Sequence, residues 1–308
     1  MSRYLVTGGA GFIGSHLCDR LVQEGHDLVI LEDFSSGKQA NLAGPASAAK
    51  LVQADVRSGL SAQAIGPCDG IIHLAALISG FDSLRSPDDY LQANLQGLLR
   101  VIDYAAEASV PRVLFASSST VYGSAAAPRL AEQTLPQPMS VYAATKLMGE
   151  QLLAMYGRLH GFTHCSLRLF NVYGPRQATD HPYANVTCKF SHAAANGLPI
   201  DLYGDGAQSR DFIYVEDVVD AFFAVLDASP SSVYNIGTGR ETSIRELIGT
   251  LESIAGRPFQ ISQQPEWPND IRSISADCSR ATAEIGFMPR VSVEQGLANT
   301  VDFFRPRG

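Results

Sequence analysis

The sequence is poor in tryptophan and lysine and has no long apolar or basic run. It holds one tryptophan and four lysines among 308 residues, and its formal net charge is −8. No Lys/Arg-rich stretch offers a surface for nucleic acid or anionic membranes, and no apolar run approaches the roughly 20 residues that cross a bilayer. We therefore expect neither nucleic acid nor a membrane as a partner.

The cysteines are also few, at positions 18, 68, 165, 188 and 278. Their odd number and irregular spacing fit reduced thiols in the cytoplasm better than disulfides or a zinc site. His160 and His164 have metal-ligand spacing, but Gly161 interrupts the predicted helix between them, so we expect no metal. The first predicted strand begins at once, which leaves no room for a signal peptide and again predicts a cytoplasmic protein.

Three glycines near the N-terminus give the clearest functional signal. Gly8, Gly11 and Gly14 follow a short apolar strand (4–6) and open an amphipathic helix (12–24). In such a unit the first glycine permits a tight turn, the second lets a pyrophosphate approach the backbone, and the third lets helix and strand pack together. The pattern predicts a dinucleotide site. The alternative is an ordinary glycine-rich turn.

An acidic pair at the end of the second predicted strand (27–31) favours NAD over NADP. Glu32 and Asp33 stand about 20 residues past the glycines, where an acidic side chain bonds ribose hydroxyls and repels a 2′-phosphate. Lys38 is the nearest basic residue. Asp55, which follows the third predicted strand, is expected to face the adenine edge. The alternative for Glu32 is a solvated charge at a strand end.

Short apolar runs alternate with helical patterns through the first half of the chain. This alternation predicts right-handed βαβ units and a parallel sheet. Asn94 lies inside the long predicted helix over 87–108, and its amide needs partners if it is buried. The predicted strands cover residues 4–6, 27–31, 50–54, 70–74, 113–116 and 164–169.

A tyrosine and a lysine four residues apart open a predicted helix that runs to about His160. This spacing places Tyr142 and Lys146 on one helix face. A nearby ammonium favours the phenolate, so Lys146 is expected to lower the pKa of Tyr142 and make it a usable acid or base. Upstream, Ser117–Gly123 places hydroxyls at the end of a parallel strand, facing the ligand crevice. The alternative for Tyr142 and Lys146 is that they are two solvated side chains on a helix surface.

Eight motifs follow one another along the chain: Thr7–Gly14, His73–Ala76, Ser117–Gly123, Tyr142-x-x-x-Lys146, Arg168–Pro175, Tyr203–Gly206, Arg210–Phe212 and Asn235–Gly239. In this order, they resemble the motifs of the extended short-chain dehydrogenase/reductases, specifically the NAD-dependent nucleotide-sugar epimerase/dehydratase group. The resemblance covers nearly the whole chain, and the local pattern is similar to that of UDP-glucose and UDP-GlcNAc 4-epimerases.

The resemblance implies an α/β fold, a Rossmann-type doubly wound parallel sheet with a smaller, interleaved C-terminal substrate-binding lobe. The NAD-binding domain is then residues 1–170 with returning segments about 207–238, and the substrate lobe is 171–206 and 239–308. Relatives pair across a two-fold through helices that correspond to residues 87–108 and 141–160, so a homodimer is the expected assembly.

The resemblance also implies the residues that bind NAD. One set holds the pyrophosphate, a second surrounds the adenosine and a third lines the cofactor groove, while Lys146 binds the nicotinamide ribose beside Tyr142. In chain order these residues are Gly8, Gly11, Phe12, Ile13, Gly14, Glu32, Asp33, Ser35, Ser36, Gly37, Asp55, Val56, Leu74, Ala75, Ala76, Tyr142 and Lys146.

The chemistry implied by the resemblance is oxidation of a nucleotide sugar at C4. Tyr142 removes the proton of the C4 hydroxyl while hydride leaves C4 for NAD, Ser118 bonds the same oxygen, and Lys146 tunes Tyr142. UDP is the favoured nucleotide. The positions implied for the nucleoside diphosphate are Asn171, Asn185, Val186, Arg210, Phe212, Asp270 and Arg272.

Two departures from the family pattern bear on the reaction. Many relatives have a diphosphate-binding arginine three residues before the aspartate; here that residue is Trp267, and Arg272 is a candidate replacement. The 4,6-dehydratases carry Asp-Glu where this chain has Ser119 and Thr120. Since hydroxyls are poor general acids, the pattern favours 4-epimerisation through a 4-keto intermediate. The alternatives are 5,6- or 4,6-elimination of water by a dehydratase, and a non-catalytic NAD-binding regulator.

Overall fold

A computed structural model of the protein describes residues 1–123, 129–179, 185–228, 231–266 and 272–306. The chain forms two compact units that interleave in sequence. Unit 1 comprises Met1–Ala125, Leu135–Leu169 and Val219–Tyr234, and unit 2 comprises Ala126–Thr134, Phe170–Val218 and Asn235–Gly308.

Unit 1 is built on a seven-stranded sheet. The strands are β1 Arg3–Thr7, β2 Asp27–Glu32, β3 Lys50–Gln53, β4 Gly70–His73, β5 Arg112–Ser118, β6 Thr163–Leu169 and an edge strand, β11 Ser232–Ile236. Their order is β11-β6-β5-β4-β1-β2-β3, and β1 to β6 pair in parallel. The order reverses between β1 and β4, which is where such sheets bind ligands at their carboxyl ends. The predicted doubly wound parallel sheet is confirmed.

The helices of unit 1 bury apolar faces against this sheet. In α5, Leu98, Val101, Ile102 and Ala105 follow a helical repeat and are all buried in the core. The helices are α1 Phe12–Gln23, α2 Ala62–Ile65, α3 Gly80–Arg85, α4 Pro87–Tyr90, α5 Gly97–Glu107, α6 Val141–His160 and, shared with unit 2, α8 Val215–Ala228. Short 3₁₀ turns cover Gln39–Leu42, Pro45–Ala48, Val56–Ser58 and Ser119–Tyr122.

The helix predicted over 87–108 is a composite in which a π-helical segment, Leu91–Gln96, lies between α4 and α5. Asn94 is buried in this segment and has the partners that its amide requires. Its Oδ1 accepts from Leu77 N–H at 2.9 Å, and its Nδ2 donates to Leu77 O and to Thr145 Oγ1, both at 3.0 Å. The wider turn therefore coincides with a side chain that joins the segment after β4 to α6.

Helix α6 is held to the sheet by a buried ion pair. Arg168 donates to Glu150 through Nε at 2.9 Å and through Nη2 at 2.7 Å, and both side chains are about 5% exposed. Glu150 also accepts from the Ser117 hydroxyl, and Arg168 Nη1 donates to Tyr122 Oη at 2.9 Å. The pair stabilises the charged form of Arg168, whose pKa is raised. Since a charge buried without its partner is costly, the two residues depend on each other.

Unit 2 has short strands in place of a large sheet. Those that the structure describes are β7 Asn171–Tyr173, β8 Ile200–Tyr203, β9 Ser209–Arg210, β10 Phe212–Tyr214, β12 Thr242–Ser243 and β13 Ile261–Gln264, and its helices are α7 Val186–Asn196, α9 Ile244–Ala255, α10 Ser279–Ile285 and α11 Val293–Phe304. The strands pair as β7 with β10, β9 with β12 and β8 with β13. The residues 171–173, which lie within the Arg168–Pro175 motif, pair in parallel with β10.

A buried aspartate organises the loops of unit 2. Asp211 is fully buried and accepts from the backbone N–H groups of Thr238, Gly239 and Ala276 at 2.8 to 3.0 Å. Burial raises the pKa of Asp211, while these hydrogen bonds oppose the rise. In the part of the chain that the structure describes, no helix is long and apolar enough to cross a membrane.

We predict that Glu150→Ala destabilises the protein far more than removal of an exposed carboxylate. The change leaves the Arg168 charge buried without its partner, so the apparent free energy of unfolding is expected to fall by roughly 3–5 kcal/mol. Urea denaturation measures this loss. The matched control is Glu284→Ala in the exposed Arg280–Glu284 pair, for which a loss under about 1 kcal/mol is expected. Equal losses in the two variants would contradict the assigned role of the buried pair.

Candidate active site

The glycine loop between β1 and α1 offers peptide N–H groups to a ligand. Gly11 is the N-cap of α1, no side chain caps the helix, and its first turn contains no acidic residue. A Cβ on Gly8 would lie 2.7 Å from Ala75 N, and one on Gly14 would overlap the carbonyl oxygen of Gly8. A Cβ on Gly11 would have one neighbour within 4 Å among the described residues outside its own chain neighbours, the Gly8 carbonyl oxygen at 3.1 Å. This arrangement fits a pyrophosphate at the helix N-terminus.

Glu32 and Asp33 have different environments. The Glu32 carboxylate is buried and accepts from Ala10 N–H at 3.0 Å and from Asp33 and Phe34 N–H at 3.1 Å. Asp33 is exposed, and its Oδ1 accepts from the N–H and hydroxyl of Ser35. Glu32 therefore ties β2 to the glycine loop, and the Asp33 carboxylate is the one directed to solvent.

The remaining positions that the resemblance assigns to the adenosine follow β2 and β3. Ser35 and Ser36 are exposed. Gly37 lies close to the Glu32 carboxylate, since a Cβ on Gly37 would be 2.8 Å from Glu32 Oε2. Asp55 caps the 3₁₀ turn that follows β3 and forms an ion pair with Arg57, whose hydrogen bond lowers the pKa of Asp55. Val56 is buried.

The segment after β4 lies beside the glycine loop. Leu74 N–H donates to Thr7 O at 3.1 Å and Ala75 N–H to Thr7 Oγ1 at 3.3 Å, and Leu74, Ala75 and Ala76 are partly exposed. His73 is buried, with Nδ1 2.7 Å from Thr7 Oγ1 and its ring stacked on Phe115. Burial, aided by Lys146, lowers the pKa of His73 to about 3. His73 is thus a neutral core residue.

Ser118, Tyr142 and Lys146 come together at the carboxyl end of β5. The Tyr142 hydroxyl is hydrogen-bonded to Ser118, and Lys146 Nζ lies 5.8 Å from the centre of the Tyr142 ring. Lys146 Nζ donates to Ala116 O at 2.8 Å. An ammonium has three N–H groups, so this single acceptor among the described residues leaves donors for a ligand. All three side chains are at most 9% exposed.

The electrostatics differ from the sequence-based expectation. Lys146 was expected to lower the pKa of Tyr142, but burial dominates and raises it, and the lowering influence comes from the Ser118 hydrogen bond. Burial also lowers the pKa of Lys146 to about 7, because enclosure disfavours the ammonium. The expectation overestimated the effect of Lys146, since helical spacing does not reveal how much water is excluded around both groups.

Three residues of α6 contact three successive residues of β5. Tyr142 bonds Ser118, Lys146 bonds Ala116 O and Glu150 accepts from Ser117. The α6 positions are four apart and therefore share one helix face. Glu150 was not identified from the sequence, although it continues the Tyr142–Lys146 spacing by one further step.

Thr120 is a second neighbour that the motif alone did not identify. Its N–H and its Oγ1 both donate to Ser118 Oγ, at 3.2 and 2.9 Å. The sequence drew attention to this position only because dehydratases carry a carboxylate there. The structure adds a direct bond to the serine of the site.

The predicted substrate positions that the structure describes lie in unit 2. Asn171 is in β7, Asn185 caps α7 through Oδ1 and donates from Nδ2 to Val172 O, and Val186 begins α7. Arg210 is partly buried and donates to Ser209 O, whereas Phe212 is 1% exposed. These positions are Asn171, Asn185, Val186, Arg210, Phe212 and Arg272.

Arg272 is exposed and forms ion pairs with Asp205 and Glu266. Its guanidinium Nη2 is 2.9 Å from Asp205 Oδ2. The two other positions that bear on the substrate, Trp267 and Asp270, lie outside the described residues.

We predict that Lys146 gives the cofactor-free protein a stability that rises with pH above 7. The folded pKa of Lys146 is about 7, below the ordinary value near 10.5, so between these values the unfolded chain binds the additional proton. The free energy of unfolding should rise by at most about 1.4 kcal/mol per pH unit from this group. Denaturation of wild type and Lys146→Met at pH 7 to 9 isolates the effect; parallel curves would refute it.

Comparison with known proteins agrees with the fold. The profile of the NAD-dependent epimerase/dehydratase family matches residues 4–237. A UDP-glucose 4-epimerase of Mycolicibacterium smegmatis is 40% identical over 311 residues, covering 98% of both chains.

Two solved structures show the same likeness. The UDP-N-acetylglucosamine 4-epimerase of Methanobrevibacter ruminantium in complex with UDP-N-acetylmuramic acid is 34% identical, with a TM-score of 0.94 over 98% of both chains. The Thermus thermophilus UDP-glucose 4-epimerase complex with NAD is 32% identical, with a TM-score of 0.90 over the same shares. The predicted family and the predicted cofactor are therefore confirmed, and the chain belongs to the NAD-dependent epimerase/dehydratase family of enzymes.

Proposed function

We propose that this enzyme inverts C4 of a UDP-hexose or UDP-N-acetylhexosamine through a 4-keto intermediate. The observation that supports this most directly is the buried Tyr142 hydroxyl bonded to Ser118 with Lys146 one helical turn away. These are the groups that C4 oxidation requires of the protein. The named relatives act on UDP-glucose and UDP-N-acetylglucosamine, which supports the choice of UDP.

The protein's own contribution is proton transfer at a fixed oxygen. In the phenolate form, Tyr142 Oη takes the proton of the sugar C4 hydroxyl, and Ser118 holds the same oxygen in place. Bound NAD would supply the hydride acceptor and donor for C4. After the 4-keto sugar turns over in the pocket, Tyr142 gives the proton back to the C4 oxygen, so no net proton or hydride is lost.

The residues present suit NAD binding. We assign the pyrophosphate to the uncapped N-terminus of α1 at Gly11, Phe12 and Ile13, and the adenosine ribose to Asp33, with Glu32 holding the loop from behind. The remaining donors of Lys146 are available for the nicotinamide ribose. A carboxylate at the ribose repels a 2′-phosphate, which supports NAD over NADP.

The choice of epimerisation over dehydration rests on two hydroxyl residues. Where dehydratases carry an acid and a base, Ser119 is buried and Thr120 donates its hydroxyl to Ser118. Hydroxyl groups with ordinary pKa values transfer protons poorly near pH 7. The 4-ketone, once formed, is therefore expected to be reduced again rather than to lose water from C5 and C6.

We also propose a homodimer that works in the cytoplasm. Apolar side chains are exposed on α6, at Met155 and Leu159, and at Leu91 on the π-helical segment, as expected for helices that pack against a second copy. The five cysteines are free thiols, which suits a reducing compartment.

We predict that Tyr142→Phe lowers turnover by about 10²–10⁴-fold, because general acid–base catalysis is lost while the ring remains. NAD affinity is expected to stay near that of wild type. Steady-state assays and fluorescence titration with NAD measure the two quantities. Tyr156→Phe on the same helix is the matched control, since Tyr156 stacks on His160 and makes no contact with Ser118 among the described residues. Near-normal turnover by Tyr142→Phe would refute the assigned role.

We predict that the NAD-loaded enzyme converts UDP-glucose or UDP-GlcNAc to the C4 epimer, with transient absorbance of NADH. Proton NMR of the products distinguishes the outcomes, because inversion changes the ring couplings while elimination creates an alkene or a methyl group. A new alkene or methyl signal would favour a dehydratase. Binding of NAD without redox change across a panel of nucleotide sugars would favour a regulator.

A further inference from the structure

Both peptide groups of Ala10, in the glycine loop, are hydrogen-bonded to the end of β2 and the segment that follows it. The Ala10 N–H donates to Glu32 Oε2 at 3.0 Å. The Ala10 carbonyl oxygen accepts from Lys38 N–H at 3.1 Å and from Asn41 Nδ2 at 2.9 Å. A carbonyl oxygen has two lone pairs, so these two donors occupy both. The buried Ala10 is therefore fixed on both sides.

Ala10 lies between two glycines, so its bonds decide which way the peptide before α1 faces. Gly9 and Gly11 have no Cβ, and the backbone around Ala10 therefore has more allowed conformations than other backbone. In the structure the Gly11 N–H donates to Gly8 O at 3.1 Å, while the Ala10 carbonyl oxygen accepts from Asn41. The peptide that joins Ala10 to Gly11 is thus bonded at both of its polar ends.

The orientation of this peptide affects an anion at the start of α1. The first bond within the helix runs from Ser15 N–H to Gly11 O at 3.0 Å. The N–H groups of the preceding helical residues have no partner within the helix and can bind an anion. If the peptide between Ala10 and Gly11 turned over, its carbonyl oxygen, which carries partial negative charge, would approach the same anion and repel it. By holding the Ala10 oxygen, Asn41 opposes this rotation.

We propose that Asn41 is a positioning residue that fixes the Ala10 carbonyl group and thereby holds the glycine loop in the conformation that binds the pyrophosphate of NAD. A loop that is already in its binding conformation loses less conformational freedom when the ligand binds, so the affinity is higher. Lys38 contributes only its backbone N–H, whereas the second bond depends on the Asn41 side chain. The inference rests on the placement of the pyrophosphate at α1 proposed above and does not depend on the C4 chemistry.

The segment that carries Asn41 is attached to unit 1 by other contacts as well. Asn41 lies in the 3₁₀ turn Gln39–Leu42, in which Leu42 is buried. Further along the segment, Ala46 N–H donates to the Asp19 carboxylate of α1 at 2.8 Å. These contacts remain when the Asn41 amide is removed, so we expect the segment to stay folded in variants of Asn41.

The test compares Asn41→Leu with Gln39→Leu in the full chain freed of nucleotide. Leucine keeps the branched outline of asparagine but cannot donate to Ala10, and Asn41→Ala removes the same donor without added bulk. Gln39 is the matched control, because it is exposed in the same turn and makes no side-chain hydrogen bond among the described residues.

Three ligands separate the parts of the cofactor. NAD is complete, ADP-ribose has the pyrophosphate without the nicotinamide, and adenosine has neither. Isothermal titration calorimetry gives the dissociation constants, with adenosine measured by competition against NAD.

We expect both Asn41 variants to bind NAD and ADP-ribose about three- to tenfold more weakly than wild type, which is the usual contribution of one hydrogen bond. Adenosine should bind them as it binds wild type, and Gln39→Leu should bind all three ligands normally. The loss would then follow the pyrophosphate, whereas general damage to the fold would not select the ligands that carry it.

Two results would overturn the proposal. One is unchanged affinity for NAD and ADP-ribose in both Asn41 variants, and the other is an equal loss for adenosine and ADP-ribose. If wild type binds ADP-ribose no more tightly than adenosine, the proposed placement of the pyrophosphate fails and the role of Asn41 fails with it. If wild type binds NAD but inverts neither sugar, the C4 chemistry fails, and the titrations still decide the role of Asn41.

Discussion

The attachment of α6 to the end of β5 is the interaction on which the site depends. Tyr142, Lys146 and Glu150 each bond one of three consecutive β5 residues, and Arg168 of β6 closes on Glu150. Gly149 permits the close approach, since a Cβ there would lie 2.8 Å from the Phe115 ring. The phenol and the ammonium are therefore placed by backbone packing and a buried ion pair.

The burial that this attachment produces makes charge on the two side chains unfavourable. Burial disfavours the charged forms of both Tyr142 and Lys146, raising the pKa of the first and lowering that of the second. Hydrogen bonds and a bound ligand can offset the cost at the position where charge must develop. In the proposed reaction, the same enclosure would keep water away from the 4-keto sugar.

The glycine loop and the end of β5 lie at the same edge of the sheet. Parallel strands bring the carboxyl ends of β1, β4 and β5 to the same side, so the uncapped N-terminus of α1, the segment after β4 and the Ser118 turn are neighbours along it. Glu32 and Asn94 are buried polar residues that fix the connecting segments to this edge. Their amide and carboxylate groups bond to the protein itself, whereas Asp33 and Lys146 are the residues that the proposed function assigns to ligands.

Periodicity and local motifs were enough to predict the elements that are long or strongly patterned. Strands β1 to β6, helix α6 and the glycine loop followed from apolar runs, glycine spacing and helical repeats, which are local properties of the chain. The segments 171–173 and 212–214 were not predicted as strands, because each is three residues long and becomes one only by pairing with the other. The π-helical segment was likewise missed, since it coincides with the tertiary bonds of Asn94.

The sequence by itself determined the α/β class, and it predicted the dinucleotide loop and the group formed by Ser118, Tyr142 and Lys146, because these depend on residue types and on spacings within local motifs. Only the tertiary structure decided that burial, and not Lys146, controls the ionisation of Tyr142, that Glu32 faces the loop, and that Thr120 bonds Ser118. Water exclusion and the direction of a hydrogen bond depend on which separate segments meet, and no spacing along the chain records that.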